Sequence, residues 1–199
     1  MKQLIRIILV LVVLFPLVGC EKLQTSPPEL VPQSLSSKEE VLLNLTGNKV
    51  LLYSLTHMPP RDGYELSLTY EVYENGEKVK EALLLSLMNP DPDGHPFDET
   101  IGLNFQSNEI RVFSGNNHAY ASGNLQIEED LSQYAQAFLG DRLDLPLGTE
   151  VYIYYANDGD SIATNIPIGM PLSSVNMNDF FHTGESVILI KLSFQASSN

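Results

Sequence analysis

Polar and apolar positions alternate with a period of two over residues 64–72, where Tyr64, Leu66, Leu68, Tyr70 and Val72 are interleaved with Glu65, Ser67, Thr69 and Glu71. Successive side chains of a strand point to opposite faces, so this pattern predicts a strand with one buried and one wet face. Asn75 and Gly76 follow, the pair best suited to the two positive-φ positions of a type I′ turn, and a second apolar run through Leu87 completes a hairpin. Counting outward from Glu74 opposite Glu77 places Val72 across from Val79, Leu68 from Leu83, Leu66 from Leu85 and Tyr64 from Leu87. The same register sets Glu71 opposite Lys80 on the wet face, a favourable cross-strand pair.

Further strands are expected at 48–57, 101–105, 109–115, 149–157 and 186–195, all rich in β-branched and aromatic residues between turn signals, with a weaker one near 119–127. About seven to eight strands at this spacing predict a mainly β fold: an antiparallel β-sandwich, immunoglobulin-like, or a partly open barrel. Residues 127–143 break the pattern. Leu131, Tyr134, Ala135, Phe138 and Leu139 fall at helical spacing behind three acids, and Gly140 stands ready to end a helix. One amphipathic helix is therefore expected near 128–139. A shorter one at 37–46 is suggested by Ser36 and Ser37 standing three before Glu39 and Glu40, the spacing of a capping box. Residues 173–181 have room for a single turn.

The N-terminus is of another kind. Lys2 and Arg6 precede an unbroken apolar run from Ile7 to Phe15, the charged start and hydrophobic region of an export signal. That run falls short of the about 20 residues a membrane-spanning helix requires. Leu17, Val18 and Gly19, followed by Cys20, the one cysteine of the chain, resemble the lipobox of bacterial lipoproteins. The resemblance implies cleavage after Gly19, diacylglycerol on the Cys20 sulfur and, with palmitate-type acyl chains, a protein anchored to the membrane through lipid. It covers residues 1–20 alone. On this reading residues 1–19 are a removed signal peptide, 20–38 a lipidated cysteine with a flexible, proline-bearing tether, and 39–199 a single extracytoplasmic domain.

Charge narrows the partners. Loss of residues 1–19 would remove two cations and no acid, taking the formal charge from −14 to −16. So acidic a chain lacks the basic footprint that phosphates require, and no nucleic-acid partner is expected. With its single cysteine committed to the anchor, the domain folds without disulfides, which suits the extracytoplasmic face of a Gram-positive cell membrane.

Candidate chemistry is sparse. Asp91, Asp93 and Asp98 in one loop, and Asp158 and Asp160 in another, are the carboxylates from which a calcium site would be built if both loops met at one end of the sandwich. Prolines and glycine explain the first loop equally well as a series of turns. The four histidines are scattered singly, without the spacing of a zinc or copper site. Neither a nucleophile elbow nor a glycine-rich phosphate loop is present, so no catalytic residue is assigned. Tyr152 and Tyr154, alternating with Val151, Ile153 and Tyr155, offer a tyrosine-bearing binding face, or else core tyrosines. The expectation is thus a surface-anchored, non-catalytic binding module whose partner is an envelope protein or extracellular polymer. The alternatives are a divalent-cation (calcium) or small-ligand receptor, and a hydrolase without a local motif, which would need a deep pocket holding a histidine or two close carboxylates.

Overall fold

A computed structural model describes residues 26–58, 64–87, 97–115, 120–159, 166–176, 179–181 and 184–196. Among them are eleven strands: β1 (Glu29–Pro32), β2 (Lys49–Met58), β3 (Tyr64–Glu74), β4 (Glu77–Leu87), β5 (Phe97–Phe105), β6 (Glu109–Gly115), β7 (Tyr120–Gln126), β8 (Ala135–Phe138), β9 (Leu143–Asp144), β10 (Thr149–Asn157) and β11 (Ser186–Ala196). One α-helix, α1 (Ser37–Thr46), joins β1 to β2. The chain is mainly β, with two open antiparallel sheets: sheet A in the order β7-β6-β5-β2-β1-β9 and sheet B in the order β4-β3-β11-β10-β8. Their inner faces form one core, in which Phe105 of sheet A stacks on Tyr154 of sheet B at 4.4 Å between ring centroids.

The hairpin forms with Asn75 and Gly76 both at positive φ, as the turn requires. Its register differs from the simple count. Glu74 does face Glu77 and Tyr73 faces Lys78, but two β-bulges give β4 two extra residues, so that Val72 faces Lys80, Glu71 faces Glu81 and Leu68 faces Leu85. The bulges leave Val79 and Leu83 exposed and bring Leu84 into the core. A bulge also bends its strand. Here β4 meets β7 of the other sheet, where Gly123 lies against the Leu84 carbonyl.

The expected helix at 128–139 does not form. A single 3-10 turn, Leu131–Gln133, is capped by Asp130, whose carboxylate accepts from the Ser132 amide at 3.1 Å, and the chain then enters β8. The spacing was helical, but the edge of β10 needed hydrogen-bond partners, and Ala135–Phe138 supply them from Asn157 to Tyr154. Context of this kind routinely overrides local propensity. The 37–46 helix is present with the reciprocal bonds of a capping box: the Ser36 hydroxyl oxygen accepts from the Glu39 amide, and the Glu39 carboxylate accepts from the Ser36 amide and hydroxyl. The flexible-tether reading of 20–38 does not hold for Glu29–Pro32, which pair with both β2 and β9, with Leu30 fully buried. With β8 and β9 also unforeseen, the strand count rises above the expected seven or eight.

Strand directions define two ends of the sandwich. The hairpin turn, the β5–β6 turn and the end of β10 at Asn157 share one end. Contact between the halves is fixed there by the Leu131 amide donating to the Ser107 carbonyl at 2.8 Å. Met58, Phe97, Asp144 and Thr149 belong to the opposite end.

Candidate functional site

The two flanks of the sandwich are unlike. On one, β4 and β7 touch; on the other, the edge strands are too short to meet. β1 covers Tyr53–Thr56 and leaves the first residues of β2 beyond it, and β8 covers only the Tyr154–Asn157 half of β10. Below this gap the chain turns through Gln33–Leu35 into α1, whose Leu43 faces the opening. The result is a groove of about 720 Å³, bounded by Pro32–Leu35, Glu40, Leu43, Gly47–Tyr53 and Phe138–Gly140.

Its walls are mostly apolar. Leu51 and Tyr53 are buried, and the Tyr53 hydroxyl donates to the Leu139 carbonyl at 3.3 Å, which holds the turn after β8 against the floor. Leu51, Tyr53 and Leu55 alternate inward along β2, and Lys49 occupies the same inward parity. A cation therefore stands where the pattern calls for a core side chain. Lys49 Nζ lies 4.5 Å from the centroid of the Phe138 ring, and Phe138 remains 44% exposed in the groove mouth. Such a contact is worth about 0.5–1 kcal/mol at a partly exposed site. It does not cancel desolvation: burial pushes the Lys49 ammonium below the usual lysine range. Lys78, Lys80, Arg111, Arg142 and Lys191 all pair with carboxylates, whereas no carboxylate of the described residues pairs with Lys49.

A second polar cluster lies on the outer face of sheet B. Glu71, 1% exposed, accepts hydrogen bonds from the Tyr73 and Tyr152 hydroxyls, both at 3.0 Å, and ion-pairs with Lys191 at 3.1 Å and Lys78 at 3.4 Å. Burial alone would raise its pKa, but the Lys191 hydrogen bond and charge, with Tyr73 and Lys78, outweigh it and hold the carboxyl below the ordinary range. Phe181 stacks on Tyr73 at 4.9 Å, and Ile166, Ile168 and Leu172 cover the same face. Every oxygen of Glu71 is engaged, so the cluster holds the sheet and its covering segment together rather than presenting a reactive group.

The residues singled out in the sequence do not converge on either place. Tyr152 and Tyr154 do not form a common exposed face. A bulge at Ile153 turns Tyr152 to the outer cluster and Tyr154 into the inter-sheet core, and both are buried. Asp98, the second residue of β5, accepts from the His57 amide at 3.2 Å; Asp158 follows β10 and accepts from the Ser186 amide at 2.8 Å. They belong to opposite ends of the sandwich, separated by roughly a strand's length of 25 Å, too far apart to share a cation. Asp91, Asp93 and Asp160 lie outside the described residues, as do Leu17, Val18, Gly19 and Cys20. Among the described residues no three histidine, cysteine, aspartate or glutamate side chains gather as metal ligands. The groove's described lining holds one carboxylate, Glu40, and no histidine. Sequence reasoning missed the groove, although Lys49 on the apolar parity of its strand was a readable signal. Comparison with protein-family models, with characterised proteins and with solved structures finds no match to this chain.

Proposed function

We propose that this chain is a bacterial lipoprotein, anchored through Cys20 to the extracytoplasmic face of the cell membrane, whose β-sandwich binds a small ligand and performs no chemistry. The observation that carries the binding reading is the groove between the unmatched edges of the two sheets. Its volume falls within the roughly 300–1,000 Å³ typical of small-molecule sites, and its apolar walls with few polar groups fit the same class. That favours a small-ligand receptor over an envelope protein or extracellular polymer, which would need a broad open face such as the buried tyrosines do not provide. The anchor rests on the lipobox resemblance of residues 17–20.

Two measurements test the two halves. Cells expressing the full chain and fed a palmitate analogue are expected to label it, with labelling lost in Cys20→Ala; labelling retained in that variant removes the anchor. For the groove, the chain from residue 20 onward with Cys20→Ser keeps every strand and the helix described above. Phe138→Asp in this background is expected to abolish binding of an apolar fluorescent probe while leaving the melting temperature within a few degrees. Undiminished probe binding would remove the groove as the site.

A further inference from the structure

We infer that the ligand of the groove is an apolar molecule ending in a single carboxylate, with Lys49 as its counter-ion and Phe138, Leu43 and Leu51 against its body. This rests on the binding reading above and names its ligand class. Three observations lead to it. Lys49 takes an inward position on β2, so its ammonium is directed among apolar side chains, where a partnerless charge is costly and an incoming anion removes the cost. Lys49 is the one cation in the groove's described lining, and no carboxylate of the described residues pairs with it, which makes it the groove's attraction for a negative group. Phe138, directly beneath the ammonium and nearly half exposed, offers an apolar surface continuous with the charge.

Charge also sets an upper limit. The protein carries a formal −14, and Glu40 stands in the same lining, so a second anionic group on the ligand would meet repulsion at the mouth. Screening confines the long-range field to a Debye length of about 8 Å at physiological salt, so one carboxylate seated at Lys49 is tolerated where a polyanion is not. An apolar body with one charged end is the shape and charge the groove complements, rather than a phosphate-rich or sugar ligand.

The test is calorimetric titration of the residue-20 chain carrying Cys20→Ser with dodecanoate, dodecanol and dodecylammonium. Dodecanoate is expected to bind at least tenfold more tightly than dodecanol, and dodecylammonium not to bind. Lys49→Met should erase the preference for the acid, and Lys49→Arg should keep it within a few-fold. If dodecanol binds as well as dodecanoate and Lys49→Met changes neither, the ligand class is overturned while the groove remains a binding site. If none of the three probes binds, the groove reading falls with it. A concentration-dependent dimer that Phe138→Asp disperses, without dodecanoate binding, would assign the surface to a second copy of the chain and equally overturn the proposal.

Discussion

Glu71 is buried and Lys49 partly so, and the two are expected to respond to mutation in opposite ways. Glu71 is surrounded by donors, so Glu71→Gln leaves Lys191 and the two tyrosines with a weaker acceptor and should cost about 2 kcal/mol in chemical denaturation. Its folded-state pKa lies below the unfolded value. The carboxylate therefore contributes stability that is present above the ordinary glutamate value of about 4.3 and drains away as pH falls through its own lower one. Glu39 and Glu109 are lowered too and keep part of the acid limb, so Glu71→Gln should show a shallower limb than wild type; an identical limb in both would dissociate it from Glu71. Lys49 has no such partners. Removing its half-buried ammonium in Lys49→Met should hold or raise the melting temperature, because the cost of desolvating a charge disappears with it. A residue whose loss spares the fold is the kind kept for something other than stability.

Among the elements, β5 depends on one missing side chain. A Cβ on Gly102 would come 1.8 Å from the Phe113 ring, which lies across the strand at that position. Gly102→Ala should therefore cost about 1–3 kcal/mol through overpacking, and adding Phe113→Leu should recover part of it, a non-additivity visible in a double-mutant cycle. Helix α1 is attached mainly to β2, while Val41, Leu42 and Leu45 point to solvent. Its amides should exchange faster than those of the strands, and slow when the groove is filled. The elements also show what was legible in the chain. The hairpin is bounded by turn residues and alternation, and β6 and β10 by turn residues and β-branched or aromatic content, all local properties. The bulges were not, since two extra residues in β4 answer to packing against β7 and to the Lys78 bridges to Glu71 and Glu81. Residues 128–139 carry a helical spacing that a short edge strand shares, and only pairing with β10 decides between the two. The groove draws on residues near 34, 50 and 139, a convergence that only the finished fold contains.

Taken whole, the molecule has its two described candidate calcium ligands at opposite ends, so millimolar calcium against EDTA should leave the melting temperature unchanged; a rise of several degrees would return the cation receptor to consideration. The sheets open on one flank and close on the other, and the closing devices serve a second purpose. The outer edge of β10 is divided between β8 on Tyr154–Asn157 and bridges from Ile168 and Pro171 to Tyr152 and Val151. At the far edge of sheet B, Glu77, Lys78, Lys80 and Glu81 line the start of β4. A long bare strand is a template for sheet-to-sheet growth, and short covers and charged edge residues deny it one. If the chain is held at a membrane as proposed, its copies meet in two dimensions at high local density. In that setting the patchwork along β10 would keep neighbouring molecules from zipping into a common sheet, leaving each groove to work alone.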